Sequence, residues 1–367
     1  MLDTVKLSFD TDAFEIMGAS GFGYTTELHG IRRAVRNPSR KELWAGLYLP
    51  RVTLINRPTQ QGRREQLTVE FSAPKMIFGN NFDELEDSDF QTVVKKLQES
   101  LKYIGVGISM KSISNAKVVC WHPSKNIILD NCFGCQTVIN TLKKVDYSRV
   151  YSIQKTDFQD GEVLHFHCNS KDIAFYDKLA DLRQAKTSDK RSRENDSQIQ
   201  IDLLEQLNYT ADISVLRYEI RLNGARAIKQ NFKHLPTDEL VFNKLFRSRL
   251  SKQLLEEYWR VFEAQIDYLS LDVNKPFEIL QNYLKENKDI TPQAALAAVA
   301  GLYITNQQST AALRSTLDKR FGKHYWYRYK PTMKKIQGRR YNDITQITNS
   351  LHEFQPTRME ILINRVD

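Results

Sequence analysis

Leu164-His165-Phe166-His167-Cys168 alternates large apolar with imidazole side chains, and Ile173-Ala174-Phe175-Tyr176-Asp177-Lys178 follows after four polar residues. In a β-strand successive side chains point to opposite faces. His165 and His167 therefore project together, while Leu164, Phe166 and Cys168 turn into a core. Asn169-Ser170-Lys171-Asp172 is a turn-forming set, so the two runs predict paired strands. Two imidazoles side by side are a metal-ligand pair, or two histidines on an edge strand with no ligand. Tyr176, with Lys178 two residues on, is a candidate nucleophile.

The same period of two recurs along the chain. Thr4 to Phe9 alternates, and Arg51 to Asn56 and Gln66 to Phe71 are β-rich runs separated by the polar stretch Arg57 to Gly62, a hairpin signal. Phe90, Val93, Val94, Leu97, Leu101 and Ile104 then repeat at helical spacing behind the capping residues Asp87-Ser88-Asp89. Val118 to Trp121 and Asn126 to Leu129 read as short strands around His122-Pro123-Ser124. The order strand, strand, helix, strand returns in the runs up to Tyr176, a helix from Ile199, and the strand Val215 to Leu222. A mostly antiparallel sheet with helices on one face, an α+β domain, is the natural packing.

Between Tyr176 and that last strand, Ala185 to Gln198 has no apolar side chain larger than alanine, which predicts a mobile loop or a plain solvated insertion. From about residue 233 the pattern turns helical. Leu240, Val241, Leu245, Leu250, Leu254, Leu255, Tyr258, Val261 and Phe262 recur in one stretch, and an alanine run follows Thr291-Pro292, a capped start with proline in the first turn. Two domains are expected, 1–232 bearing the chemistry and 233–367 all-helical.

With 41% hydrophobic residues in 367, a real core is affordable. Four cysteines make no disulfide framework and indicate a reducing compartment. Cys132 and Cys135 form a lone CxxC: two thiols at a turn, or a zinc site completed by His165 and His167. No basic leader and no apolar stretch near 18 residues is present, so a cytoplasmic protein without membrane partners is expected.

The formal charge is +9, and Lys319 to Arg340 alone holds nine basic residues and no acid. Lys323, Arg328, Lys330, Lys334, Lys335, Arg339 and Arg340 are interleaved there with aromatics that include Trp326 and Tyr327. Basic groups neutralise phosphates and aromatic faces stack unpaired bases, so this segment is read as a DNA contact. A smaller basic cluster, Arg32, Arg33, Arg36, Arg40 and Lys41, reads equally well as loop charge.

Cleaving a phosphodiester needs an in-line nucleophile, charge neutralisation and protonation of the leaving oxygen. A tyrosine is weak at its free pKa of about 10, so a nearby cation must favour its phenolate, and Lys178 is placed to supply one. Histidine pairs need oxygen ligands to hold a hard ion such as Mg²⁺ or Mn²⁺. Glu70, Glu219 and His122, each in or beside an expected strand, are the candidates. Glu219 lies between Arg217 and Arg221 on its own face, which offers an ion-pair ladder as the competing explanation. Either arginine is also a candidate phosphate clamp.

Over roughly residues 60 to 235 the chain resembles the gene II type replication initiators of filamentous phages and the related plasmid rolling-circle initiators. The likeness rests on Val69-Glu70-Phe71-Ser72-Ala73-Pro74-Lys75, Phe78-Gly79-Asn80-Asn81-Phe82, Ser124-Lys125-Asn126-Ile127, Phe175-Tyr176-Asp177-Lys178 and Leu216-Arg217-Tyr218-Glu219-Ile220-Arg221-Leu222. The histidine pair departs from the gene II type and is similar to that of the wider histidine-hydrophobe-histidine nucleases, where the tyrosine stands farther off. The resemblance implies a site-specific nickase that cuts one strand of origin DNA through Tyr176, stays on the 5′ end and rejoins it. It also implies a host helicase and polymerase as partners. A DNA-binding regulator without catalysis, or a relaxase or transposase with the same chemistry, is the alternative.

Overall fold

The computed structural model describes most of the chain. Outside the described residues lie 18–20, 130–134, 148–153, 159–162, 185–213, 237–239, 267–279, 285–289, 332–341 and 361–367, with some isolated positions between. Two compact units interleave along the sequence where a single cut after residue 232 was expected. One is formed by 1–128, 169–255 and 354–367, the other by 129–168 and 256–353.

The first unit is an α+β body on an antiparallel sheet. Its strands are β1 (Leu2–Asp10), β3 (Gly23–Leu28), β4 (Ile31–Arg36), β5 (Arg51–Thr59), β6 (Gly62–Ser72), β8 (Lys117–Leu129), β11 (Lys171–Asp177) and β12 (Ser214–Asn223), in spatial order β3-β4-β5-β6-β1-β8-β12-β11. A separate two-stranded pair joins β2 (Glu15–Ile16) to β7 (Val106–Gly107).

Alternation in sequence becomes two unlike faces. Val5, Leu7, Phe9, Leu67, Val69 and Phe71 are buried, while Lys6 and Glu70 on the opposite face are partly exposed. Trp121 of β8 pairs with Val5, and Tyr218 of β12 pairs with Phe175 of β11, their rings stacked at 4.6 Å. Aromatic side chains from the helical segments cover this apolar face: Phe232 meets Trp121 at 5.1 Å, and Phe242 meets Phe71 at 6.0 Å and Phe90 at 5.2 Å. Full burial of such a side chain stabilises by about 1.5–3 kcal/mol. The helix Phe90–Tyr103 buries Val93, Val94, Leu97 and Leu101, the stripe its spacing predicts.

Three local readings are corrected. The two short strands expected around His122-Pro123-Ser124 are one, because β8 runs unbroken from Lys117 to Leu129. Pro123 lies opposite Leu2, beside a register shift at the start of β1, where irregular pairing accommodates a residue without an N–H. The hairpin expected across 57–62 forms, but its strands run further into that stretch, since β5 and β6 stay paired out to Thr59 and Gly62. Arg32, Arg33 and Arg36 belong to β4, a strand the sequence did not announce; Arg32 pairs with Glu27 at 3.1 Å and Arg36 with Glu42 at 2.5 Å. Arg40, the 185–198 segment and the helix expected from Ile199 lie outside the described residues.

The second unit contains β9 (Gln154–Phe158) paired antiparallel with β10 (Val163–Cys168), together with helices over Pro292–Gln307, Thr310–Phe321 and Asn342–Glu353. Leu164 and Phe166 of β10 are buried, and Phe166 packs on Tyr147 and Phe262 at 5.3 and 5.2 Å. Thr291 caps its helix, accepting from the Ala294 N–H at 3.3 Å. Among the described residues no helix is long and apolar enough to cross a membrane.

Candidate active site

β12 places Arg217, Glu219 and Arg221 on the sheet face opposite Tyr218, Ile220 and Leu222, as a period of two requires. Across the ladder on β11, Tyr176 stands opposite Arg217, Ala174 opposite Glu219 and Asp172 opposite Arg221. Ala174 leaves space beside Glu219, and the Tyr176 hydroxyl leans diagonally to donate to Glu219 Oε2 at 3.1 Å. Arg221 donates to both Glu219 oxygens, from Nε at 3.1 Å and from its terminal nitrogen at 3.3 Å, and reaches Asp172 at 3.2 Å. The ion-pair ladder expected as Glu219's alternative explanation is therefore present.

Arg217 is buried and its two terminal nitrogens are engaged. It gives hydrogen bonds to Asp3 Oδ2 at 2.6 Å, the Asn81 carbonyl at 3.0 Å and Asn126 Oδ1 at 3.1 Å. Its Nε has no hydrogen-bond partner and stands 3.9 Å from Glu219. The Asn81 loop begins at Gly79, which closes the preceding helix at φ 70°, a left-handed conformation suited to glycine. The same loop brings Glu84 to Lys125 Nζ and to the Asn126 N–H, both at 2.6 Å.

β11 ends at Asp177, so Lys178 opens a helix (Lys178–Gln184) and does not share a strand face with Tyr176. Its ammonium nevertheless lies 5.9 Å from the centre of the Tyr176 ring, donating to Asn81 Oδ1 at 3.0 Å and to Asp181 at 3.3 Å. On the other side His122 Nδ1 is 3.8 Å from Glu219 Oε1, and its Nε2 is 3.1 Å from Asn223 Oδ1.

Burial and charge set the protonation states. Burial raises Glu219, but the Arg221 and Arg217 guanidiniums outweigh it and hold the carboxyl well below its usual range. Burial, and then the Glu219 carboxylate, push the Tyr176 phenol well above its ordinary value. The cation-favoured phenolate expected from sequence is thus replaced by a protonated phenol that donates. Burial lowers Lys178 and His122, against the opposing pull of Asp181 and Glu219 respectively. Burial pushes the Cys120 thiol, 3.0 Å from Asn223 Oδ1, up to about 11.

The structure gathers Tyr176, Lys178, Glu219, Arg217, Arg221 and His122 of the expected residues. Glu70 is engaged with Lys6 at 2.6 Å. His165 and His167 share one face of β10, both partly buried, in the second unit. Trp326 is buried rather than offered to a base, and Tyr327 is exposed. Lys323, Arg328, Lys330, Lys334, Lys335, Arg339 and Arg340 lie outside the described residues, as does Cys132, while Cys135 is buried. Sequence reasoning missed Asp3, Asn81, Asn126, Glu84, Lys125 and Asp172. Asn81, Lys125 and Asn126 sit within runs that carry the family resemblance, whereas Asp3 had no local signal.

Among the described residues no three His, Cys, Asp or Glu side chains surround a common point suited to a metal ion. Glu219, already neutralised by two arginines, does not fit as a ligand for a hard cation. The sequence matches no family model, and comparisons with curated proteins and with solved structures return no match.

Proposed function

We propose that the chain is a rolling-circle replication initiator that nicks one strand of origin DNA with Tyr176 and later rejoins it. One observation carries the reading: a phenol hydrogen-bonded to a carboxylate at 3.1 Å, with a buried lysine ammonium 5.9 Å from its ring. In the cut, the Tyr176 oxygen bonds to phosphorus as the bond from phosphorus to the 3′ oxygen breaks. The phenolic proton leaves to solvent water as this bond forms, while Glu219, held ionised by its arginines, orients the hydroxyl. Lys178, whose ammonium burial has made more acidic, supplies a proton to the leaving 3′ oxygen. The products are a 5′-phosphotyrosine and a free 3′-OH, and the reverse step joins ends without ATP. Arg221, partly exposed beside Glu219, is the guanidinium available to a phosphate, while Arg217 holds the cluster together.

Mg²⁺ or Mn²⁺ is the proposed cofactor; His165 and His167, two donors on one strand face of the second unit, would hold it together with oxygen ligands, and such an ion would supply charge neutralisation for a phosphate. Origin DNA, a host helicase and a host polymerase are the proposed partners, in the bacterial cytoplasm. The test is incubation with a 3′-labelled random single-stranded DNA library and Mn²⁺ or Mg²⁺. Label transferred covalently to wild-type protein and absent in Tyr176→Phe supports the reading. The protonated state of Tyr176 favours a second one, a DNA-binding regulator without catalysis. Tight binding with no adduct under either ion would establish the regulator and sink the nickase.

A further inference from the structure

The end of the β5–β6 hairpin runs past the ladder partners of both its strands, with Pro58 beside the β3–β4 turn at Gly30. β4 pairs with β5 only as far as Asn56, and β1 pairs with β6 only as far as Gln66. From Arg57 to Arg64 the two strands therefore pair with each other alone, with Arg57 opposite Arg64, Pro58 opposite Arg63 and Thr59 opposite Gly62. Gly62, at φ 115°, makes the tight reversal that few other residues allow.

Its charge pattern is unfavourable for the hairpin itself. Residues 57–64 hold three arginines and no acid, all three arginines are exposed, and like charges directly opposite on a ladder destabilise it. Arg64 pairs with Asp10 at 2.9 Å, at 61% and 46% exposure, where screening leaves little gain. Among the described residues no carboxylate pairs with Arg57 or Arg63.

We infer that this ribbon docks in the major groove of duplex DNA. Two strands about 4.8 Å apart fit a groove about 12 Å wide, which admits a β-ribbon. Arg57 and Arg64 share one face of the ribbon and Arg63 takes the other, so guanidiniums are offered from both. A-form RNA has a major groove too deep and narrow for such an element. An anionic membrane fits poorly as well, since Pro58 is the ribbon's one apolar side chain. The inference deepens the proposed function by assigning a duplex contact to a surface at the other end of β6 from Ser72. It rests on that reading only for the duplex being an origin.

The experiment measures binding of a labelled mixed-sequence DNA duplex by the full chain over a range of salt. Replacing Arg57→Gln, Arg63→Gln and Arg64→Gln together should weaken duplex binding at least tenfold at low salt. The slope of log affinity against log salt should flatten by roughly 2 to 3, at about 0.9 per lost phosphate contact. The corresponding triple lysine variant should keep the slope, and thermal melting verifies that both variants fold. Unchanged duplex affinity and slope in the glutamine variant would overturn the proposal. So would an equal loss on double-stranded RNA or anionic vesicles. Adduct formation on single-stranded DNA, followed in parallel, should survive in the glutamine variant. If wild-type protein forms no adduct while duplex binding still depends on the arginines, the Tyr176 chemistry fails and the ribbon stands.

Discussion

The carboxylate of Asp3 and the guanidinium of Arg217 meet at 2.6 Å across 214 residues of chain, joining the first strand to the strand that carries Glu219. Ser72 on β6 donates to the other Asp3 oxygen at 2.9 Å, so this one carboxylate holds the ends of three strands. Removing one member of a buried pair leaves the other uncompensated, at a cost of about 3–5 kcal/mol. Asp3→Ala should lower stability by that order. Asp3→Ala combined with Arg217→Met should lose less than the sum of the single changes. A double-mutant cycle by denaturant unfolding checks this, and strict additivity would show that the two side chains do not depend on each other.

Glu219 makes stability sensitive to acid. Its folded pKa is depressed, so the unfolded chain binds a proton first as pH falls below about 4.5. The associated stability is fully present above that value and drains as pH drops towards the folded pKa. Burial likewise depresses His122 in the folded state, which starts the loss earlier, below about 6.5. Wild-type unfolding free energy should therefore fall from pH 7 to pH 5 and again below 4.5. In Glu219→Gln the second fall should shrink, whatever the variant's stability at neutral pH. Equal acid slopes in the two proteins would show that Glu219 is not the group responsible.

Tyr176→Phe removes one hydrogen bond from a carboxylate that Arg221 still holds with two. The stability cost should be only about 1–2 kcal/mol. Under the proposed function, the same change should abolish the covalent DNA adduct while leaving DNA affinity intact. Melting and adduct capture on the same preparation separate these effects. Lost adduct accompanied by global unfolding would leave Tyr176 as a structural residue alone.

Much of the sheet was legible because water and core impose opposite demands on alternate residues. Val5, Leu7 and Phe9, and the polar ladder Arg217, Glu219 and Arg221, show that alternation directly. Lys117–Leu129 was misread because Pro123 and Ser124 resemble a turn, and only pairing with β1 keeps them extended. β4 was missed because Arg32-Arg33-Ala34-Val35-Arg36 has no apolar alternation; its strand state comes from pairing with β5. Tyr176, Lys178 and Glu219 were identifiable by residue type and spacing. Asp3 and Glu84 were not, since their partners lie far along the chain and a buried carboxylate reads as a surface one until its cation is located.

Glu84 marks where the site is braced from behind. Its carboxylate accepts from Lys125 Nζ and the Asn126 N–H at 2.6 Å each, and from the Thr357 N–H at 2.9 Å. Lys125 also donates to Thr357 Oγ1 at 2.9 Å, so the segment after Phe354 closes this cluster. The loop holding Glu84 is the one that presents Asn81 to both Lys178 and Arg217. Glu84→Gln keeps the shape but strands Lys125 without its counter-charge, and should cost about 3–5 kcal/mol. Thr357→Val removes one hydrogen bond from the Lys125 ammonium and one to the Asn126 carbonyl but leaves the Glu84–Lys125 pair, and should cost about 1–3 kcal/mol. If the loop positions Lys178, Glu84→Gln should also slow adduct formation at temperatures where the variant is fully folded, whereas Thr357→Val should slow it less. Equal adduct rates in folded wild-type and Glu84→Gln protein would confine Glu84 to stability and remove it from the positioning of Lys178.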